Sequence, residues 1–168
     1  MASAFVSKGN TIQKDLRSNV TILSGDKSLV VIALWDTGAT NSCISMDVVK
    51  KLELVSTGKI PMGTPSGRRI ADTYLVDIVL PNNVPVDDLM VCDSEIGAQG
   101  IGMLIGMDII TKGDFMVNNY NGRTVFSFRM PSDSMTDFVS GIKASNVIQA
   151  NRNRGKRHAP TKVAKKRR

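Results

Sequence analysis

The sequence predicts an all-β fold that carries one or two short helices. Two apolar stretches, Leu29–Leu34 and Tyr74–Leu80, are rich in β-branched residues and have the length of buried strands. Glycine, proline and asparagine punctuate the chain between such stretches, and Asn121-Gly122 is a strong hairpin signal. Strands joined by tight turns therefore indicate a β-sheet protein.

The first half of the chain contains three strand candidates and a short helix. The strands are an edge strand around Ala4–Ile12, a short strand at Val20–Leu23 and a strand at Ser28–Trp35, the last two joined by a turn at Ser24–Lys27. Thr40–Ile44 is a short extended piece. The Ser45 hydroxyl can then cap a helix that begins at Met46 and ends near Leu54.

The second half contains a long hairpin, further strands and two helical segments. The hairpin is expected between Val55 and Pro81, with its tip at Gly63–Gly67. Such a tip suits an ordinary surface hairpin as well as a flap that closes over an extended substrate. Beyond it we expect a strand at Val84–Val91, an apolar strand at Met103–Ile105 that turns at Gly106 into a helix around Met107–Thr111, strands at Phe115–Val117 and Thr124–Arg129, and a helix within Ser132–Ile148.

Charge is distributed unevenly along the chain. The 168 residues carry a net charge of +7, but residues 143–168 hold ten basic residues and no acidic one, which leaves residues 1–142 near −3. From Ala150 the apolar periodicity is lost, so we expect a disordered basic tail, which is either solvated or binds nucleic acid without sequence specificity. The expected regions are an N-terminal segment at 1–19, a globular domain at 20–131, a helix at 132–149 and the tail at 150–168.

Composition excludes several classes of enzyme and site. His158, in the tail, is the only histidine, so neither Ser-His-Asp or Cys-His catalysis nor a histidine-ligated zinc centre is expected. We expect no cofactor and no metal. Cys43 and Cys92 form no CxxC pair, and we expect both to be reduced and buried. Neither a membrane-spanning stretch nor a leader pattern is found, so a cytoplasmic location is expected.

One acidic residue stands where an apolar strand ends. Asp36 follows Leu29–Trp35 directly and precedes Thr37-Gly38. A carboxylate at the end of a buried strand is costly unless it is hydrogen-bonded or shares a proton with a second acid, so the position suggests chemistry. The alternative is an Asx turn, in which Asp36 has only a local structural role.

Three stretches together resemble the retropepsin-like aspartic protease family. They are Trp35-Asp36-Thr37-Gly38-Ala39-Thr40, the hairpin tip at 62–67, and Leu104-Ile105-Gly106-Met107-Asp108. The likeness covers about residues 20–130 and is closest to small single-domain members from bacteria and mobile elements. It implies a closed β-barrel and a homodimeric aspartic endopeptidase that cleaves extended peptides. Because the chain has one Asp-Thr-Gly, the second carboxylate would be Asp36 of another copy.

The resemblance also assigns roles to individual residues. Asp36, Thr37 and Gly38 are catalytic: the two Asp36 carboxylates titrate as a pair, Thr37 hydrogen-bonds across the dimer, and Gly38 lets the substrate backbone approach. Gly106 is a structural turn beneath this loop. Substrate binding is assigned to Ala39, Thr40, the flap residues Met62, Gly63, Thr64, Pro65, Ser66 and Gly67, and Ile105, for which a place in the core is the alternative.

The chain also departs from the family pattern. Thr40-Asn41 stands where retroviral members commonly carry acids, and Met107 stands where they commonly carry an arginine, so a charge pair that braces those dimers is absent. Pro65 makes the tip unlike the glycine-rich viral flaps. A second interpretation is therefore a non-catalytic, protease-like module that dimerises and binds peptide, with a basic tail that binds nucleic acid.

Overall fold

The computed structural model of the chain describes residues 2–64 and 67–157. Pro65 and Ser66 of the predicted flap, and residues 158–168 of the predicted tail, lie outside the described residues. The chain divides into two compact units, residues 1–133 and residues 134–168. The candidate catalytic residues all belong to the first unit.

Ten strands, three α-helices and three short 3-10 helices make up the regular structure of the described residues. The strands are β1 (Ser3–Lys8), β2 (Leu16–Ser24), β3 (Lys27–Trp35), β4 (Cys43–Ser45), β5 (Gly58–Thr64), β6 (Gly67–Leu80), β7 (Val84–Ser94), β8 (Met103–Ile105), β9 (Asp114–Asn118) and β10 (Val125–Met130). The α-helices are α1 (Met46–Leu52), α2 (Met107–Ile110) and α3 (Phe138–Arg157).

Six of the strands close into a barrel. Their order is β2-β3-β8-β4-β7-β6, and β6 pairs back with β2 through the register Ile22↔Ile78. The contacts β3–β8 and β4–β7 are parallel, and the other pairings of the barrel are antiparallel. β5 extends beyond the barrel as the partner of β6 in the long hairpin. The predicted all-β closed barrel with short helices is thus confirmed.

A second sheet of three strands, in the order β1-β10-β9, packs on the barrel through aromatic side chains. The ring of Trp35, at the end of β3, stacks on Phe115 with centroids 5.2 Å apart, and Phe5 of β1 packs against both Trp35 and Phe126. Aromatic rings bury large apolar areas, so this cluster ties the sheet to the strand that precedes Asp36. β1 lies at one edge of this sheet, and it belongs to the same unit as the barrel.

The short helix α1 begins where its cap was expected. The Ser45 hydroxyl accepts a hydrogen bond from the Val48 backbone N–H at 3.4 Å, and Glu53 ends the helix in the left-handed conformation. Its apolar face, formed by Val48, Val49 and Leu52, is buried in the main core.

Helix α3 differs from the sequence-based boundaries. It begins at Phe138, because the Asp137 carboxylate accepts hydrogen bonds from the backbone N–H groups of Val139 and Ser140, as an N-cap does. It continues to Arg157, so the expected helix limit at 149 and the expected disorder from 150 are corrected for residues 150–157. Alanine, arginine, lysine and glutamine are good helix formers, and loss of apolar periodicity does not by itself end a helix. Among the described residues, no helix is long and apolar enough to cross a membrane.

Candidate active site

Asp36 lies in the loop between β3 and β4, immediately after the last residue of β3. Its backbone N–H donates to the Ile105 carbonyl at 2.9 Å, and its Oδ1 accepts from the Gly38 N–H at 2.8 Å. A Cβ at position 38 would stand 3.1 Å from the same Oδ1, so glycine leaves room for the carboxylate. The hydrogen bond between Asp36 and Gly38, two residues further on, is an Asx-type contact. It orients the Asp36 carboxylate, which is half-exposed.

Ser42 and Asp108 hold this loop from inside the protein. The fully buried Ser42 hydroxyl donates to Asp108 Oδ1 at 2.7 Å and accepts from the Gly106 N–H at 3.0 Å. The Ser42 backbone N–H donates to Asp108 Oδ2 at 2.8 Å. Sequence analysis placed Asp108 in a stretch that resembles the protease family but gave it no role, and it did not identify Ser42, because the contact joins residues 66 positions apart. The network anchors the end of the loop to α2.

Gly106 is the point where β8 and α2 touch the Asp36 loop most closely. An added Cβ would lie 2.8–2.9 Å from backbone atoms of Ala39 and Asn41, closer than side chains tolerate. The backbone N–H of Met107 donates to the Ala39 carbonyl at 2.8 Å, and that of Asp108 donates to the Thr40 carbonyl at 3.2 Å. Glycine at 106 therefore permits the main-chain contacts that support the loop.

The remaining residues of the loop face outward. Thr37, Gly38 and Thr40 are exposed, and Ala39 is half-buried. Within the described part of the chain, the hydroxyls of Thr37 and Thr40 make no hydrogen bond. The loop thus presents one carboxylate and two hydroxyl groups on a backbone that is fixed from behind.

The β5–β6 hairpin brings part of the predicted flap near the barrel. Its register pairs Met62 with Arg69 and Thr64 with Gly67, which has a φ of 130°, a backbone conformation suited to glycine. The half-buried Met62 side chain packs against a small apolar cluster, whose members are Cys43, Ala71 and Cys92 with Ile60 and Leu104 at its border. Gly63 is exposed.

A partly buried ion pair joins this hairpin to β7. The Arg69 guanidinium lies 2.8 Å from Asp93 Oδ2 and also donates to the Asp93 carbonyl, while the Asp72 backbone N–H donates to Asp93 Oδ1 at 2.6 Å. The Asp93 side chain is 14% exposed, so water screens these bonds only in part. Sequence analysis missed this anchor, since it joins residues on different strands.

The assignment of Ile105 to substrate binding is corrected to the alternative, which is a place in the core. Ile105 is 0% exposed and lies in the main core, whereas its neighbour Leu104 is half-buried and borders the small cluster under the hairpin. Successive side chains of a strand point to opposite faces, so only one of the two can face the hairpin. All three residues of Met103–Ile105 are apolar, so the sequence could not show which of them faces the hairpin.

The described residues offer few ligands for a metal ion. Across 2–64 and 67–157, no group of three or more histidine, cysteine, aspartate or glutamate side chains is arranged to hold one.

Comparison with solved structures identifies the fold. The chain is similar to a retropepsin-like aspartic protease from Rickettsia conorii, with a TM-score of 0.51, 12% identity, and coverage of 77% of this chain and 96% of that one. It is also similar to the EIAV protease in complex with the inhibitor HBY-793 (TM-score 0.44, 22% identity, 59% and 88% covered) and to the simian foamy virus (mac) protease (0.42, 18%, 56% and 91%). No protein-family model and no curated protein matches the chain.

Proposed function

We propose that this chain, whose fold is that of the retropepsin-like aspartic proteases, is an aspartic endopeptidase that acts as a homodimer. The fold rests on the Rickettsia conorii structure. The observation that carries the proposal is the placement of Asp36, half-exposed at the end of β3 in an Asp-Thr-Gly loop that Ser42, Gly106 and Asp108 fix from behind.

The second carboxylate of the reaction must come from another copy. Within the chain, Asp108 is the candidate for a second catalytic carboxylate. Both of its oxygens, however, already accept hydrogen bonds from Ser42, and Oδ1 also accepts from the Ile109 N–H. Asp108 therefore supports the loop and is not free to activate water. A twofold axis beside Asp36 would place two identical carboxylates together, and the exposed Thr37 hydroxyl would find its partner across the same axis.

Two adjoining carboxylates supply the chemistry of peptide hydrolysis. Because two charges a few ångströms apart cannot both persist, the pair holds one proton between them. The ionised Asp36 takes a proton from a water, which attacks the peptide carbonyl, while the protonated Asp36 donates to the carbonyl oxygen. The reaction requires neither a metal nor an organic cofactor.

The substrate would lie between the loop and the hairpin. We assign contacts with its backbone to Gly38, Ala39 and Thr40, and closure over it to the hairpin tip at 62–67. Leu104 and Met62 border the small apolar cluster, so they favour apolar substrate side chains. The expected substrate is an extended, partly apolar peptide segment.

The first experiment compares Asp36→Asn with Asp26→Asn in a peptide-library digest, with sedimentation to measure the dimer. Asp26 is an exposed carboxylate in the turn before β3, at the opposite end of the same strand. We expect Asp36→Asn to abolish cleavage while the dimer persists, and Asp26→Asn to cleave as the unsubstituted protein does. Cleavage by Asp36→Asn at the unsubstituted rate would refute the proposal. A dimer that cuts no peptide from acid to neutral pH would favour the non-catalytic, peptide-binding module.

A mixing experiment tests whether two chains share one site. Subunits of Asp36→Asn are added in ninefold excess to the active protein and allowed to exchange. With random pairing, activity falls to about a tenth, since nearly every active subunit then has a substituted partner. Activity that is unaffected by the excess would show that each subunit works alone.

A further inference from the structure

Two cysteine side chains lie together in the wall beneath the hairpin, and the proposed reaction does not use them. Cys43 on β4 and Cys92 on β7 are register partners on neighbouring parallel strands, with their Sγ atoms 3.4 Å apart. Both thiols are free, and Cys43 is 8% and Cys92 1% exposed. Two free thiols in direct contact differ from isolated buried cysteines, because a two-electron oxidation can join their sulfurs.

The backbone geometry is compatible with a bond between the two sulfurs. Hydrogen-bonded neighbours in a sheet lie about 4.8 Å apart, which is within the range that disulfides span between Cα atoms. The sulfurs must approach by about 1.4 Å to reach the usual S–S length. Both strands pair on two sides, but β4 has three residues and β7 has eleven, so fewer backbone hydrogen bonds hold β4 and it is the element that would move.

We propose that Cys43 and Cys92 form a dithiol modification site, which a hydroperoxide converts reversibly into an intrachain disulfide. In the first step a thiolate attacks one peroxide oxygen, the O–O bond breaks, and the leaving oxygen takes up a proton and departs as water or an alcohol. The product is a sulfenic acid. In the second step the other sulfur attacks the sulfenic sulfur, the S–O bond breaks, and water leaves. The two thiols lose two electrons and two protons, and the peroxide gains them.

The surroundings favour thiolate character on one member of the pair. The hydrogen bond between the two thiols lowers the pKa of Cys92, burial and the Asp93 carboxylate act in the opposite direction, and the Arg69 guanidinium lowers it. The same hydrogen bond, together with burial, raises the pKa of Cys43. The thiolate is the form that reacts with peroxides, so this contact supplies both the nucleophile and the second sulfur that resolves the sulfenic acid.

The position of the pair links oxidation to the candidate site. Ser42, which fixes the Asp36 loop, precedes Cys43, and its carbonyl accepts the Cys92 backbone N–H at 3.2 Å. Met62 of the hairpin and Leu104 of β8 pack against the same cluster. A shift of β4 toward β7 therefore moves Ser42 relative to Gly106 and alters the wall under the hairpin. If the proposed protease function holds, oxidation lowers the rate of peptide cleavage.

The disulfide should also be easy to reduce. Directly paired strands hold the two Cα atoms near the short end of the range that disulfides span, and strained disulfides have more oxidising potentials than relaxed structural ones. Bonds of this class are typical of regulatory or catalytic pairs, whereas relaxed disulfides resist the glutathione pool. We therefore expect full reduction by glutathione.

The test follows the bond itself, so that it does not depend on protease activity. Reduced full-length protein is treated with equimolar hydrogen peroxide, quenched by alkylation under denaturing conditions, and mapped by mass spectrometry. We expect a Cys43–Cys92 peptide pair lighter by two hydrogen atoms, which glutathione reverses. Two thiols that remain open to alkylation, only disulfides between chains, or a Cys43–Cys92 bond that forms only in urea would each overturn the proposal.

The Cys92→Ala variant provides the matched control for the effect on the site. It cannot form the bond, but it keeps all nine methionines. Any effect of methionine oxidation is therefore the same in both proteins and can be separated from the effect of the disulfide. We expect peroxide to change hydrogen exchange in residues 36–42 and to lower cleavage several-fold in the unsubstituted protein but not in Cys92→Ala. Equal effects in both proteins would overturn the link to the site. If no peptide is cleaved at all, the hydrogen-exchange comparison still decides the link, and only the proposed protease function fails.

Discussion

Replacement of Ser42 by alanine is the sharpest test of how the Asp36 loop is held. The change removes one oxygen from a fully buried side chain and deletes its hydrogen bonds to Asp108 Oδ1 and from the Gly106 N–H. Loss of a hydrogen bond to a charged group costs about 1.5–3 kcal/mol, and a buried N–H left without a partner costs about 1–3 kcal/mol. Asp108 is partly exposed and can recover a water, so we expect a total loss of about 2–4 kcal/mol in the free energy of unfolding.

The assay is urea unfolding at a fixed protein concentration, since the proposed dimer would make stability depend on concentration. With a slope of about 1–3 kcal/mol per molar urea, the midpoint should fall by on the order of 1–2 M. The control is Ser28→Ala, which removes the hydroxyl of an exposed serine in β3 and should change stability by less than about 0.5 kcal/mol. If Ser42→Ala lost no more than this control, the network would not be what holds the loop, and the reasoning would be wrong.

Three further predictions use the same structure. Gly106→Ala should destabilise the protein by about 1–3 kcal/mol through backbone overlap, whereas Gly141→Ala, which meets no atom within 4 Å, should be neutral or stabilising in thermal unfolding. Asp93→Asn should accelerate hydrogen exchange at the Asp72 amide, because it weakens the anchor of the hairpin. The Ser132 hydroxyl, the Asp133 N–H and Arg129 lower the pKa of Asp114, so Asp114→Asn should reduce the free energy of unfolding at neutral pH. In urea unfolding at successively lower pH, the difference from the unsubstituted protein should shrink once the pH falls below the ordinary pKa of a carboxyl group.

Local patterns in the sequence were sufficient to identify most of the elements. The Ser45 cap of α1, the hairpin that leads into β3, and the apolar strand that turns at Gly106 all lie within a few residues of their signals. Strand ends were less well predicted: β7 runs to Ser94, three residues beyond the expected Val91. Pairing with neighbouring strands extends a strand past its apolar residues, and the local sequence does not show which strands will pair.

The support of the site could not be predicted in the same way. The contact between Ser42 and Asp108 joins residues 66 positions apart, and Arg69 and Asp93 belong to different strands of the barrel. The significance of these side chains depends on closure of the barrel, which brings distant segments into contact. The choice between Ile105 and Leu104 needed the same knowledge, since only the packed structure shows which face of β8 is the core.

The sequence by itself determined the strand-rich architecture and the position of one acid directly after an apolar strand, and it led us to expect no histidine-based catalysis. Only the tertiary structure decided what fixes that acid, which residue borders the space under the hairpin, and that two cysteines 49 positions apart are in contact. The physical reason is that turns, caps and alternation are set by neighbours along the chain. Hydrogen bonds between side chains of distant segments exist only after the backbone has brought those segments together.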